Sequence, residues 1–208
     1  MLKTQSLFFT YDRKREFRFP DIELEPGNDL IILGESGIGK TTLLHLLAGL
    51  LRPKSGSVEL GGTTLHELSD SKLDRFRGEH IGLVFQRPHF IQALTLQENL
   101  AVVQHLTGKR NDVSRIKDVL DSLGILHKLK EHPHNLSQGE QQRASIAMAV
   151  VNIPQLILAD EPTSSLDDKN CDRVAELLRE QASSTNSQLV IITHDHRLKN
   201  QFQNTMTL

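Results

Sequence analysis

The segment Gly34-Glu35-Ser36-Gly37-Ile38-Gly39-Lys40-Thr41 constrains this chain more than any other. It reads G-x-x-x-x-G-K-[ST], between the apolar run Leu30-Ile31-Ile32-Leu33 and an apolar stretch from Lys40 to Leu51. The run predicts a strand buried on both faces, and the stretch predicts a helix. Glycines at this spacing let backbone N–H groups wrap a phosphate, and the helix N-terminus adds partial positive charge. Lys40 is then placed to neutralise β- and γ-phosphate oxygens, and the Thr41 hydroxyl to ligate Mg²⁺. The competing reading is an ordinary strand–turn–helix connection with a surface lysine. The strand before the loop and the helix after it favour the phosphate loop.

Composition narrows what surrounds that loop. A chain of 208 residues allows one domain with room for an inserted subdomain. Hydrophobic residues at 38% and charged residues at 24% suit a soluble globular protein and argue against disorder. The net charge of −2 argues against a general nucleic-acid binder, which would be basic. The lone Cys171 excludes an intrachain disulfide and fits a reducing compartment. The sequence has no run of 18 apolar residues and no apolar core near Met1 like that of a signal peptide. The expected location is the cytoplasm.

Strand-like segments fall at Ser6 to Tyr11 and at Glu16 to Phe19, the latter leading past Pro20 to Ile22-Glu23-Leu24. The polar turn Asp12-Arg13-Lys14-Arg15 makes these a hairpin. Further strands are expected at Val58 to Leu60, Ile81 to Phe85, Leu156 to Ala159 and Leu189 to Ile192. Helical patterns cover Leu96 to Leu106, Val113 to Leu123, Gln138 to Val151 and about Lys169 to Ser183. Alternating strands and helices predict a parallel sheet with right-handed crossovers. The expected fold is α/β, a P-loop NTPase. It would have a mainly parallel sheet core, an N-terminal antiparallel β subdomain and an inserted α-helical subdomain. Residues 1–86 and 153–208 would form the nucleotide-binding core and residues 87–152 the helical subdomain.

Other candidates for chemistry lie at strand and helix ends. Asp160 and Glu161 follow an apolar strand, at the sheet edge where ligands bind. Asp160 can hold Mg²⁺, and Glu161 can polarise an attacking water. Gln86 ends another strand, where a neutral amide can contact Mg²⁺ or the water. His194 follows the strand Leu189 to Ile192 and could hydrogen-bond a γ-phosphate. Ser137, with Glu140 three residues on, reads as a capping box. Ser137 and Gly139 at a helix start also read as a second anion site, one that a second chain would complete. His132-Pro133-His134 has no ligand partner at metal spacing.

Taken together, the segments resemble the ATP-binding cassette (ABC) family. They run in order: the phosphate loop at 34–41, Gln86, Leu136-Ser137-Gln138-Gly139-Glu140, Asp160-Glu161, Ser165-Leu166-Asp167 and His194. The likeness covers nearly the whole chain. It is closest to the ATPases of lipoprotein-release, macrolide-export and cell-division type transporters. Thr42 to Leu50, Pro133 to Arg143 and Leu158 to Asp167 carry that closer likeness. The resemblance implies ATP and Mg²⁺ as ligands and a head-to-tail homodimer holding two ATPs. Lys40 and Asp160 of one chain would face Ser137, Gly139 and Glu140 of the other. It also implies that Tyr11 stacks on adenine, the alternative being a hairpin core residue. It implies an integral membrane permease as partner, met by the loop after Gln86 and by the helical insertion. The cassette would then sit on the inner face of the membrane.

The sequence departs from the family pattern at Gln138, where glycine is commonest, and at Glu140, where glutamine is usual. Met148 stands where many members have arginine, and the tail after His194 is short. None of these removes a catalytic group. The expected function is an ATP-hydrolysing subunit that drives a separate membrane protein, in export or extraction. The alternatives are an ATP-dependent regulatory or scaffolding subunit of a membrane complex, or a non-transport cassette acting on DNA or ribosomes. The absence of a second cassette and the slight negative charge weigh against the last.

Overall fold

A computed structural model describes residues 1–12, 15–108, 111–163 and 168–208, without the side chains of 168, 169 and 200. Its strands and helices run β1 (Leu2–Thr10), β2 (Glu16–Arg18), β3 (Glu23–Leu24), β4 (Asp29–Leu33), α1 (Lys40–Leu47), β5 (Ser55–Leu60), β6 (Thr63–Thr64), α2 (Asp70–His80) and β7 (Ile81–Val84). They continue with α3 (Leu96–His105), α4 (Val113–Ser122), α5 (Gln138–Val150), β8 (Leu156–Asp160), α6 (Asp168–Ser184), β9 (Gln188–Thr193) and β10 (Asn204–Thr207).

Two sheets form. One is parallel throughout, in the order β10-β4-β9-β8-β7. The other is antiparallel, in the order β2-β1-β5-β6, with β3 also on β1. Side chains alternate across the parallel sheet as the strand period requires. Ile31, Leu33, Ile157, Ala159, Leu189 and Ile191 pack on one face with the apolar sides of α3, α4, α5 and α6. Leu30, Ile32, Leu156, Leu158, Val190 and Ile192 pack on the other with α1 and the antiparallel sheet. Burial on both faces is why these strands read as unbroken apolar runs. It also means that α3, α4 and α5 share one continuous core with the sheet.

The structure shifts several expected boundaries. The apolar pattern reaches Leu51, yet α1 stops at Leu47. Gly49 turns left-handed (φ +65°), and the Leu50 and Leu51 N–H groups both return to the His45 carbonyl. Strand β1 begins at Leu2, because it pairs with Val58 and Leu60 of β5, a non-local partner. Helix α2 carries little apolar period: of its 11 residues only Leu73 is buried. It packs beside β7, and nothing local in its charged sequence signals that.

Candidate functional site

Four neighbouring parallel strands release their chains at one edge of the sheet. The loop 34–39 leaves β4, His194 leaves β9, Glu161 leaves β8 and Gln86 follows β7. A cleft of about 330 Å³ opens there. Lys40, Thr41, Gln86, Asp160, Glu161 and His194 line it, with Tyr11 at its outer wall. Switches between neighbouring strands at this edge are where open α/β sheets bind ligands.

The phosphate loop holds an open cradle. Helix α1 starts after Gly39, with no side-chain cap and no acid in its first turn. Its N–H groups therefore stay available to an anion. Gly39 sits at φ +115°, and a Cβ there would come within 2.6 Å of the Phe17 ring. The ring backs the loop, so only glycine fits. Lys40, a buried residue, donates to the carbonyls of Gly34 (2.7 Å) and Glu35 (3.0 Å) and lies 3.5 Å from the Glu161 carboxylate. That holds the ammonium across the cradle. Glu35, Ser36, Gly37 and Ile38 stay exposed around the rim.

Asp160 accepts from the Thr41 hydroxyl at 3.2 Å through Oδ2. Its Oδ1 is buried without a hydrogen-bond partner. Burial raises the Asp160 carboxyl above the usual carboxylate range, while the Thr41 hydrogen bond lowers it less. A buried carboxylate with a spare oxygen beside a hydroxyl is a hard-oxygen pair, the donor chemistry of a divalent cation such as Mg²⁺. Glu161 is more fully held. It accepts from the Thr193 hydroxyl (2.9 Å) and the His194 amide (3.1 Å), and pairs with His194 Nδ1 (2.9 Å). Its backbone sits at φ +47°, a region that costs a non-glycine residue of order 1–3 kcal/mol. The contacts on both sides of the carboxylate keep it there.

Tyr11 is exposed, which removes the core-residue alternative. It stands edge-on to Phe9 (4.8 Å between centroids), and its hydroxyl meets Thr42 Oγ1 at 3.2 Å. One ring face is thus free of a stacked neighbour among the described residues. Two cleft residues escaped the sequence reading, Arg15 and Phe17. The Arg15 guanidinium donates to the Gly37 carbonyl and lies 5.1 Å from the Phe17 ring. Their signal was the hairpin register, which pairs Phe9 with Phe17 next to Tyr11.

Ser137, Gly139 and Glu140 do not line this cleft. The capping box forms fully: the Ser137 amide and hydroxyl both donate to Glu140 Oε2 at 2.8 Å, and the Glu140 amide donates back to Ser137 Oγ. Those Ser137 hydrogen bonds hold the Glu140 carboxyl down at about 2, with Lys128 (3.4 Å) assisting. Ser137, Gln138 and Gly139 stay exposed, on a surface open to another molecule. Helix α5 still meets the segment that follows Glu161, since Gln142 donates to the Pro162 carbonyl at 3.2 Å. Ser165-Leu166-Asp167 lies outside the described residues. Cys171 is buried and free. His132 and His134 stack on each other at 5.6 Å.

The chain as a whole is similar to several known proteins. The family described as "ABC transporter" matches residues 19–164. The lipoprotein-releasing system ATP-binding protein LolD of Geobacter metallireducens is 40% identical over 190 residues, covering 90% of this chain and 84% of that protein. The LolD of Cytophaga hutchinsonii is 35% identical over 201 residues, covering 95% and 91%. Among solved structures, the dimeric bacterial ABC transporter cassette MJ0796 superposes with a TM-score of 0.88 at 28% identity, covering all of this chain and 94% of that one. The same cassette in a post-hydrolysis dimer bound to ADP and Pi gives the same score.

Proposed function

The chain belongs to the ABC transporter family, and from that premise we propose how its own residues work as the ATP-hydrolysing subunit of such a transporter. The observation that carries the reading is the cleft edge itself. There an open phosphate cradle, a buried carboxylate with a spare oxygen, and a carboxylate clamped to a histidine converge. Gly34 to Thr42 wrap the phosphates, with Lys40 moving from the loop carbonyls to the phosphate oxygens. Tyr11 covers the adenine. Asp160 and Thr41, with Gln86, would hold Mg²⁺, which would neutralise charge on the phosphates. Glu161 orients and polarises the attacking water, and His194 both steadies Glu161 and reaches the γ-phosphate.

Exposed Ser137 and Gly139 complete the site of a second copy, head to tail, so each dimer holds two ATPs. No helix among the described residues is long and apolar enough to cross a membrane. We place the cassette on the inner membrane face through a separate permease subunit. A groove of about 910 Å³ between α2, β7, α3 and α5, with Leu83, Phe85, Val103, Leu106 and Met148 in its wall, supports docking of that subunit. The names of the relatives favour extraction of lipoproteins as the transport class.

Light scattering on Glu161→Gln, with and without Mg-free ATP, tests the reading. An ATP-dependent shift from monomer to dimer is expected, with hydrolysis nearly stopped. ATP binding without any shift would remove the self-completing dimer, and wild-type turnover would remove Glu161 from the chemistry.

A further inference from the structure

His194 meets Glu161 directly through its amide and Nδ1, and the next residue, Asp195, anchors the segment that carries it. On the near side, the Asp195 amide donates to Thr193 Oγ1 at 3.0 Å, and that hydroxyl donates on to Glu161. On the far side, the Asp195 carboxylate reaches beyond its own segment. Its Oδ2 accepts from the Thr163 hydroxyl (3.3 Å) and the Cys171 thiol (3.5 Å), 32 and 24 residues away in sequence. Thr163 stands two residues after Glu161 and is fully buried, as is Cys171 at the start of α6. Arg197 closes the cluster, with Nη2 at 2.6 Å and Nε at 2.9 Å. An ordinary cap of the short helix 196–201 would need only the bond from the Arg197 amide to Oδ1 (3.0 Å). The bonds to Oδ2 go further, joining the chain leaving β9 to the chain leaving β8. The loop closes through Glu161, Pro162, Thr163, Asp195 and His194, back to Glu161.

We propose that Asp195 is a positioning residue for ATP hydrolysis: by tying Thr163 and Cys171 to the segment after β9, it sets His194 against the Glu161 carboxylate. This rests on the reading that Glu161 and His194 act on the attacking water and the γ-phosphate. Arg197 keeps Asp195 ionised, since its hydrogen bonds hold that carboxyl down at about 2. Thr163, Cys171, Asp195 and Arg197 are not among the residues that line the cleft. The cluster therefore acts on the chemical step and leaves nucleotide affinity alone.

Three variants of the full chain, with Glu161→Gln beside them, test this by ATP affinity and single-turnover hydrolysis at excess protein. Asp195→Ala is expected to slow hydrolysis about tenfold while ATP affinity stays within about twofold, the signature of misplaced catalytic groups. Thr163→Val, which keeps shape and loses the hydroxyl, is expected to slow it about threefold, and Thr163→Ser to restore it. Hydrolysis by Asp195→Ala within about twofold of wild type would overturn the proposal, as would a loss of affinity that matches the loss of rate. Should Asp195→Ala fail to fold, the Thr163 pair decides: equal rates for Val and Ser overturn the proposal. Glu161→Gln separates the two layers. If it turns over like wild type, the underlying reading fails; if it is dead while Asp195→Ala is fully active, only the role of Asp195 fails.

Discussion

Helices α1 and α5 both begin at the rim of functional segments, yet their N-termini are built in opposite ways. Helix α1 starts on Gly39, with no side-chain cap and with Lys40 as its first residue. Its positive end is left open and reinforced. Helix α5 starts on Ser137, whose amide and hydroxyl are already engaged by the Glu140 carboxylate. That end carries its own anion. One terminus is open to a phosphate from solution, whereas in the proposed dimer the other would have to exchange an internal carboxylate for a phosphate brought by a second chain. Lys128 and His127 lie 3.4 and 3.7 Å from the other Glu140 oxygen, where they would hold a carboxylate displaced in that way.

The largest expected effect breaks the open terminus. Lys40→Ala should abolish measurable ATP binding by isothermal titration, because Lys40 is the main protein cation at the cradle. Retained micromolar affinity would contradict that role. Next comes the glycine contrast between the two helices. Gly39→Ala meets the Phe17 ring at 2.6 Å in a left-handed backbone, and should cost about 1–3 kcal/mol from backbone strain alone. Gly139→Ala meets only Arg143 Nη1 at 3.6 Å, so thermal unfolding should stay within about 0.5 kcal/mol of wild type. Equal losses at both sites would erase the distinction.

Two smaller effects sharpen the capped terminus. Ser137→Ala should cost about 1 kcal/mol in chemical denaturation through the lost cap, and should weaken the ATP-dependent dimer in the Glu161→Gln background. A dimer of undiminished strength would show that Ser137 makes no contact across the interface. Acid is the gentlest probe. Glu140 and Asp195 have folded values of about 2, below their ordinary 4.5 and 3.8. A depressed carboxyl stabilises the fold above its unfolded value and loses that contribution as pH falls toward the folded one. Stability should therefore drop between about pH 4.5 and 2, with Asp195→Asn flattening part of the slope. An unchanged slope in that variant would remove Asp195 from the acid response.

Much of this molecule was legible along the chain. The apolar runs that became β4, β8 and β9 announced themselves, because burial on both faces leaves no polar alternation to confuse them. The phosphate loop was legible because its glycines, lysine and threonine act at fixed local spacing. The capping box at Ser137 was legible too, being a contact between residues three apart. Helix α2 was not, since its charged residues carry almost no apolar period and its place is set by packing beside β7, far from any local signal. Arg15 and Phe17 were missed because the hairpin register, their one signal, does not by itself bring them to the phosphate loop. They matter only once the hairpin folds over the loop.

The sequence by itself determined which segments could cradle a phosphate, present acids at strand ends and cap a helix, because each depends on residues within a few positions of one another. Only the tertiary structure decided that Gln86, Asp160, Glu161 and His194 share one edge with Lys40, that Glu161 is clamped by Thr193 and His194, and that Asp195 reaches Thr163 and Cys171. Those contacts follow from the strand order β10-β4-β9-β8-β7. That order is set by hydrogen bonding and packing between segments far apart in the chain, which no local spacing encodes.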